Sequence, residues 1–224
     1  MRDYQYKWRI ESLCKEIKTV NPDIICLQEV IPAFYDIIKQ QLPGYSSAFI
    51  HPYKNNTTAR AYGEVILSKL PIISKGFYRL ESEQGRVNSW IDVKVNDKVL
   101  RVNTAHLEST EGFSNYLLKK VKGIRQKQLS LIKSKNSESK HWIWIGDSNL
   151  LEDENHEMFQ SNIPTYFSNR FSYIFNEVNP VYYTHSYDKV WINNVTLEKF
   201  HTLSAAKDQK YLSDHDGIVC KINL

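Results

Sequence analysis

Apolar residues recur with helical spacing at the start of the chain. Five of them predict an amphipathic helix over roughly residues 8–20, namely Ile10, Leu13, Cys14, Ile17 and Val20. The Asn-Pro-Asp sequence at 21–23 ends this helix. IICLQEV at 24–30 predicts a short strand that is buried on both faces, and a second helix is expected after Pro32 because proline favours the first helical turn.

The middle of the chain predicts strands followed by one long helix. Strands are expected near 45–50, 62–68 and 72–80. A hairpin should follow, because apolar positions alternate on both sides of Asn96-Asp97, a dipeptide suited to a tight turn. The long helix, with many lysines on its other face, is predicted by four residues: Leu117, Val121, Ile124 and Leu131.

The last third of the chain is predicted to be mainly strands. KSKNSESK at 133–140 is expected to be an exposed loop. HWIWI at 141–145 is a buried strand, and later strands are expected at 188–192, 195–203 and 217–224. Two packed sheets flanked by helices are the simplest architecture that uses these elements. We therefore expect an α+β fold in a single domain spanning residues 1–224, since no linker divides the chain.

Amino-acid composition says more about the cellular location of the protein than about its function. The chain has 224 residues, 42% of them hydrophobic, and a net charge of +4, which is compatible with a polyanionic partner. The cysteines, Cys14, Cys26 and Cys220, are too far apart for a metal knuckle, so a reducing, intracellular location is expected. No secretion signal and no membrane-spanning run is found.

Polar groups that are costly to bury follow several apolar strands. They are Glu29, Glu64, His106, Asp147, Asn149, Asp188 and the SDHD sequence at 213–216. If the strands are neighbours, these groups meet at one rim, where their carboxylates would repel one another. A divalent cation would offset that repulsion. Because the available ligands are oxygens, Mg²⁺ or Mn²⁺ is favoured over Zn²⁺.

Seven short motifs together resemble the endonuclease/exonuclease/phosphatase superfamily. In chain order they are LQEV, YGEVILSKLPI, GRVNSW, HLEST, GDSN, YDKVWI and SDHDG, spread over residues 24–220. This superfamily contains DNase I, abasic-site endonucleases, inositol-phosphate phosphatases and sphingomyelinases. LQEVIPAFY, HLEST, GDSNL and SDHDG are most similar to its second group of 5′-tyrosyl-DNA phosphodiesterases. The resemblance implies a DNase I-like, four-layer α/β sandwich with two mostly antiparallel sheets between helices.

The resemblance also implies roles for individual residues. Glu29, Asp147 and Asp214 would hold the metal, and Asp147 would also orient or deprotonate the attacking water. His215 and His106 would donate hydrogen bonds to phosphate oxygens, and Asn149 would hold the phosphate or the water. Asp188 matches the acid that pairs with His215. Glu64 lies where DNase I-like members carry the acid that partners His106.

Other residues have less specific matches. Arg86 of the GRV segment would bind a DNA phosphate or a structural carboxylate. Ser109 would offer its hydroxyl to a phosphate, although a turn or helix cap is an equally good explanation. Arg125 and Gln128 resemble a family pair that we expect to be mainly structural. The lysines of the long helix are predicted to form a solvated face.

The chain departs from the family pattern at two places. Family members open with a strand that ends in an Asn beside the metal-binding Glu, whereas this sequence begins at the following helix. We therefore expect the first strand of the fold to be missing here, or translation to start upstream. The tyrosyl-DNA enzymes have Arg where this chain has Glu111, which puts the specificity for DNA ends in question.

The sequence thus predicts a Mg²⁺-dependent phosphodiesterase that acts on nucleic-acid ends, in the manner of a DNA-repair enzyme. The favoured substrate is a 5′-tyrosyl DNA end, and RNA remains an alternative substrate. We expect a monomer that does not bind membranes. Within the same fold, a nuclease, an abasic-site endonuclease or an inositol or lipid phosphatase remains an alternative. A catalytically impaired nucleic-acid-binding module is the alternative from another class.

Overall fold

The architecture follows from two sheets that share one apolar interface. A computed structural model describes residues 2–50, 62–109, 115–150, 154, 170–172, 181–183, 187–207, 210–213 and 215–224. The smaller sheet has the strand order β1-β3-β2, with strands Ile24–Val30, Gly63–Ser68 and Ser46–Ile50 respectively. The larger has the order β10-β7-β6-β5-β4, with strands Asp188–Asn193, His141–Asp147, Lys98–Ala105, Val87–Val95 and Ile72–Arg79.

Short strand pairs and three helices complete the described elements. The helices are α1 (Arg2–Val20), α2 (Pro32–Gln41) and α3 (Asn115–Asn136). The additional pairs are β11 (Thr196–Leu203) with β14 (Gly217–Asn223), β12 (Ala206–Lys207) with β13 (Lys210–Tyr211), and β8 (Arg170–Ser172) with β9 (Val181–Tyr183). Within the described strands, β6 and β7 run parallel and the other pairs are antiparallel.

Strand β3 shows how the sequence builds two cores from one segment. All six of its residues are buried, and successive side chains point to opposite faces of the sheet. Val65 and Leu67 pack against α1 and α2, while Ile66 faces the larger sheet. The interface between the sheets is formed by Ala48, Ile66, Ile91, Val93, Leu100, Val102, Ile143, Val190 and Ile192.

Helix α3 covers the outer face of the larger sheet. Leu129 and Ile132 of the helix pack with Trp142, Trp144 and Trp191 of the strands. The rings of Trp144 and Trp191 stack with centroids 4.3 Å apart. The order is therefore helices, small sheet, large sheet, helix, and the predicted α+β four-layer sandwich is confirmed.

Most predicted helices and strands are confirmed, but the predicted loop at 133–140 is partly wrong. Helix α3 continues through residues 133–136, part of the segment 133–140 predicted to be an exposed loop. Asn136 lies one helical turn beyond Ile132 and is buried, so the packed side of the helix extends to its end. Helix α1 also begins earlier than predicted, at Arg2.

Two further expectations concern cysteines and membranes. All three cysteines are free thiols; Cys14 is buried, while Cys26 and Cys220 lie half-buried against the inter-sheet core. Among the helices that the structure describes, none is long and apolar enough to cross a bilayer.

Gly146 gives a direct test of the packing between β6 and β7. A Cβ at this position would lie 2.3 Å from the carbonyl oxygen of Ala105, so the two strands would have to separate. We expect Gly146→Ala to lower the free energy of unfolding by about 1–3 kcal/mol in urea denaturation.

Gly123→Ala is the matched control, because no atom lies within 4 Å of its added Cβ. In the middle of α3 it should raise stability by about 0.5–1 kcal/mol. Equal stability of Gly146→Ala and the wild type would contradict the close approach of these strands.

Candidate active site

The strand order of the larger sheet brings three predicted site residues side by side. Asp147 is the last residue of β7 and lies directly opposite Asp188, the first residue of β10. On the other side of β7, His106 forms a single parallel bridge with Asp147 just beyond the end of β6. Residues far apart in sequence therefore meet because β10, β7 and β6 are neighbours in that order.

The Asp147 carboxylate is the centre of this cluster. Its Oδ2 atom lies 3.5 Å from Nε2 of His106 and 3.9 Å from Nε2 of His215. Its Oδ1 atom accepts a hydrogen bond of 2.9 Å from the backbone N–H of Asn149. One carboxylate oxygen is thus fixed by the backbone while the other faces two imidazoles.

His215 and Asp188 form a short side-chain pair. Nδ1 of His215 lies 2.6 Å from Oδ2 of Asp188, and both side chains are mostly buried. With a proton on Nδ1, the ring donates to Asp188 and presents Nε2 towards Asp147. The structure brings this predicted pair into contact; its role in catalysis stays a prediction.

Glu29 lies on the far side of the His106 ring. Its Oε1 atom is 3.4 Å from Nδ1 of His106, and its side chain is 54% exposed. The backbone of Glu29 has φ of +57°, a left-handed conformation that is uncommon outside glycine. It occurs where the pairing of β1 with β3 shifts register between Leu27 and Val30. Such strain is typical of functional sites, because packing must hold it in place.

Glu64 does not form the expected pair with the His106 ring. Its Oε1 atom accepts the backbone N–H of His106 at 3.3 Å, and its Oε2 atom accepts the Ser89 hydroxyl at 3.0 Å. The His106 ring nitrogens face Glu29 and Asp147 instead. Burial raises the pKa of Glu64 from 4.5 to about 8, and these hydrogen bonds and Arg86 only partly oppose that shift.

The acids and imidazoles include donors that suit a metal ion. Ligand atoms of Asp147, Asp188 and His215 all lie within 4.8 Å of one another. Glu29 adds a half-exposed carboxylate across His106. This set, rich in carboxylate oxygens and without a thiolate, fits a hard divalent ion. Of the predicted metal ligands, Asp214 lies outside the described residues.

A buried lysine lies beneath the acids. Lys189 is fully buried in β10, and burial lowers its pKa to about 8 even though Asp188 and Asp147 oppose that shift. Its positive charge partly offsets the repulsion between the two aspartates. A lysine inside an otherwise apolar strand is the sequence feature that marks Lys189 as unusual.

Asn149 supports the turn after β7. It has φ of +48°, which asparagine tolerates well, and its side-chain amide donates to the Leu107 carbonyl at 3.1 Å. The hydroxyl of Ser148 donates to the carbonyl of Tyr187 at 2.6 Å. Both contacts join the segments that carry Asp147, His106 and Asp188. Direct contact between Asn149 and a phosphate remains a prediction.

Helix α3 holds the segment that follows His106. Arg125, only 1% exposed, donates to the Glu108 carbonyl at 3.0 Å and forms a bidentate pair with Glu154. Gln128 accepts the backbone N–H of Glu108 at 3.0 Å and donates to the carbonyl of Glu81. These contacts fit the structural role predicted for Arg125 and Gln128.

The Glu108 side chain ties this segment to the loop between β4 and β5. Its fully buried carboxylate accepts the Ser82 hydroxyl at 2.5 Å and the backbone N–H of Glu83 at 3.1 Å. The sequence showed Glu108 only as part of HLEST, and nothing in the motif identified its partners. The loop is thereby fixed beside the cluster.

A small, partly open cleft lies next to the cluster. Its lining residues include Glu29, Tyr62, Glu64, Gln84, Arg86 and His106. The Gln84 side-chain oxygen accepts hydrogen bonds from the Arg86 guanidinium at 2.8 and 3.2 Å and from the backbone N–H of Ser109 at 2.9 Å. The guanidinium predicted to bind substrate therefore has a defined orientation in the wall of the cleft, through a residue that sequence analysis missed.

Known proteins resemble this chain over most of its length. The profile described as "Endonuclease/Exonuclease/phosphatase family" matches residues 8–215. The human protein named Tyrosyl-DNA phosphodiesterase 2 is 27% identical over 150 residues, which are 65% of this chain and 38% of the relative. The chain therefore spans well under half the length of this curated relative.

Solved structures with low sequence identity share the fold. A TDP2 structure from D. rerio, described as complexed with single-strand DNA product, has a TM-score of 0.75 and 21% identity, covering 96% of this chain and 92% of its own. An endonuclease/exonuclease/phosphatase from Bacteroides vulgatus has a TM-score of 0.79 and 16% identity, covering 99% and 91%.

The buried Glu64 carboxyl should make stability depend on pH. Between pH 4.5 and about pH 8, the folded protein retains a proton on Glu64 that the unfolded chain has released, because the pKa is raised in the folded state. Raising the pH through this window therefore favours the unfolded chain. Glu64→Gln cannot ionise, so its free energy of unfolding relative to the wild type should rise between pH 5 and pH 8.

Urea denaturation across this range measures the effect, with Glu198→Gln as the control. Glu198 is an exposed acid whose pKa is lowered by Lys221, so its replacement should not alter the pH dependence in this window. Stability curves of Glu64→Gln and the wild type that stay parallel from pH 5 to pH 8 would refute the buried, protonated carboxyl.

Proposed function

Because the chain belongs to the Endonuclease/Exonuclease/phosphatase family, we propose that it is a hydrolase that cleaves phosphodiester bonds at nucleic-acid ends with a divalent metal ion. One observation carries the proposal: the Asp147 carboxylate lies within 3.9 Å of imidazole nitrogens from both His106 and His215. Such a cluster supplies an acceptor for water and two donors for phosphate oxygens in one place.

Asp147 would orient the attacking water. Its carboxylate is held by the backbone N–H of Asn149, so it does not need to reorganise when the substrate binds. In-line attack on phosphorus depends on such positioning more than on the strength of the base. A water that donates to Oδ2 of Asp147 would be placed between the two imidazoles.

His215 would stabilise the charge that develops on the phosphate. Asp188 holds Nδ1 of the ring, and protonation of Nε2 then makes this nitrogen a charged donor. The acid fixes the plane of the ring and the position of the Nδ1 proton. His106 would act in the same way from the other side of Asp147, held by the contact of Glu64 with its backbone. Donors fixed in advance are typically the largest contribution to such catalysis.

Mg²⁺ or Mn²⁺ would be held by carboxylates of this site. Glu29 and Asp147, two of the predicted metal ligands, would supply carboxylate oxygens, and Asp188 lies next to Asp147. When bound, the ion would act as a Lewis acid that neutralises charge on the phosphate oxygens. One or two protein carboxylates are enough, since Mg²⁺ retains waters and binds substrate phosphates.

Within this class, a 5′-tyrosyl DNA end is the substrate we propose. The human relative is named for that activity, and a D. rerio relative is described with a single-strand DNA product. Arg86 lines the cleft beside His106, and the backbone N–H of Ser109 donates to Gln84 in the same wall, so both residues would lie near the substrate phosphate. Such a role belongs to DNA repair, and the three free thiols agree with an intracellular location.

A DNase-like nuclease is the second candidate, because Glu64 lies at the sequence position of the DNase-like acid. In this protein Glu64 contacts the backbone of His106 and not its ring, so the pairing typical of DNase-like members is only partly reproduced. A nuclease would cleave plain duplex DNA, whereas the tyrosyl-DNA enzyme requires a modified end.

A substrate panel with Mg²⁺ separates these candidates. We expect kcat/KM to be highest for a 5′-tyrosyl oligonucleotide, lower for abasic and plain duplex DNA, and lowest for inositol phosphates. Asp147→Asn and His215→Ala should each reduce kcat/KM roughly 10²–10⁴-fold, because each removes a group that acts in the transition state. His201→Ala, which alters an exposed histidine of β11, is the control and should be fully active. A preferred substrate without a phosphodiester, or full activity of both site variants, would refute the proposal.

Metal removal tests the second part of the proposal. EDTA should abolish hydrolysis, and added Mn²⁺ or Mg²⁺ should raise the Tm of the wild type, because the ion binds the folded state. Glu29→Gln combined with Asp147→Asn should remove that rise, while Glu81→Gln, an exposed acid paired with Lys127, should retain it. Hydrolysis at an unchanged rate in EDTA would exclude the metal-dependent mechanism.

A further inference from the structure

Strand β4 presents a row of exposed side chains on one side. Lys75, Phe77 and Arg79 alternate with half-buried residues, so all three point to the same face of the strand. Phe77 is 49% exposed, which is unusual for an aromatic ring in a sheet. We call these three residues the β4 strip. A cation, an aromatic ring and a second cation thus follow one another along the edge of the larger sheet.

The opposite side of β4 is firmly packed, which fixes the direction of the strip. The Trp90 ring lies over Gly76 so closely that a Cβ there would be 2.9 Å from the ring. Arg101 lies over the same ring at 4.4 Å and forms a bidentate pair with Asp92. Asp92 also accepts the Ser74 hydroxyl. The strand therefore cannot turn its exposed residues inward without breaking this network.

The strip leads directly to the cleft of the active site. Arg79 pairs with Val87 of β5, and the backbone N–H of Leu80 donates to the Arg86 carbonyl at 3.0 Å. Val87 and Arg86 both line the cleft. A chain that leaves the cleft along this side meets Arg79 first, then Phe77 and then Lys75.

The positive charge of the strip is not cancelled by the acids around it. Glu81 and Glu83, in the loop after β4, pair with Lys127 and Lys120 of α3. Asp92 is engaged by Arg101. Within the part of the chain that the structure describes, Arg79 has no ion-pair partner, and Lys75 donates only to the neutral Ser47 carbonyl.

We propose that the β4 strip binds the nucleic-acid chain of the substrate as a single strand leading away from the cleft, an inference that rests on the function proposed above. Phe77 would stack on a base, and Arg79 and Lys75 would each contact a phosphate. Residues two apart along a strand are separated by about 7 Å. Each cationic residue therefore lies about that distance from Phe77, on opposite sides of it along the strand, a spacing similar to that between successive nucleotides. Basic side chains interleaved with an aromatic ring are the usual way in which proteins hold single strands.

The charges on this edge strand have a simpler explanation that the experiment must exclude. Edge strands commonly carry lysine to prevent pairing with other chains. That explanation gives no role to an exposed ring between the cations and predicts no effect of the strip on oligonucleotide binding.

Binding of fluorescein-labelled oligothymidylate, followed by anisotropy, tests the proposal on the full chain. Phe77→Ser and Arg79→Ser should each raise the Kd for a long oligothymidylate roughly tenfold or more, because each removes stacking or a phosphate contact. Arg79→Ser should also lower the slope of log Kd against log salt concentration by about 0.7. All positions are exposed, so the variants should fold as the wild type does.

The matched control is Lys98→Ser combined with Val99→Ser, which removes one charge and one exposed apolar side chain elsewhere on the same sheet. It should leave the Kd unchanged. The proposal is overturned if the wild type does not bind oligothymidylate, if the strip variants bind as well as the wild type, or if the control weakens binding equally.

Hydrolysis separates this proposal from the proposed function. The strip variants should lower kcat/KM for a long substrate and leave that for a substrate with a single nucleotide unchanged. A wild type that binds through the strip but cleaves no phosphodiester would contradict the proposed function alone. A wild type that cleaves, with long and short substrates equally affected by the strip variants, would contradict the strip alone.

Discussion

The site depends on one carboxylate, that of Asp147, held at the end of a buried strand between two imidazoles. Burying an acid is costly unless it is hydrogen-bonded and its charge is balanced. The Asn149 backbone supplies the hydrogen bond, and His106, His215 and Lys189 supply actual or potential positive charge. These side chains thus offset much of the repulsion among the carboxylates of the site. A divalent cation is therefore less necessary for balancing the site carboxylates than the sequence alone suggested. Its proposed role is mainly to neutralise charge on the substrate phosphate.

The sheet gives this carboxylate its geometry. Asp188, Asp147 and His106 are neighbours because β10, β7 and β6 pair in a fixed register, and a shift by one residue would turn each side chain to the other face. Gly146 allows the close approach of β6, and the Trp144–Trp191 stack holds β7 against β10. The candidate site and the core therefore share the same strands, and a packing defect in these strands should also displace the proposed catalytic groups.

Much of the fold and the site could be predicted because apolar runs and chemical motifs are local in sequence. The strand HWIWI ends in Asp147, and SDHDG contains His215, so each was visible without its neighbours. Contacts between distant segments were not visible. Glu64 holds the backbone of His106 and not its ring, and Gln84 orients Arg86, because three-dimensional packing decides which donor reaches which oxygen. The KSKN segment was misjudged because its polar composition concealed the buried Asn136.

The most direct measurement is a crystal structure of the protein with Mn²⁺ and a phosphorothioate dinucleotide that is hydrolysed slowly. The account predicts that the phosphorus lies beside the ring nitrogens of His106 and His215 and next to Asp147. It also predicts an anomalous manganese peak on a carboxylate of the same cluster. A phosphate bound elsewhere, with manganese away from residues 29, 147 and 188, would contradict it.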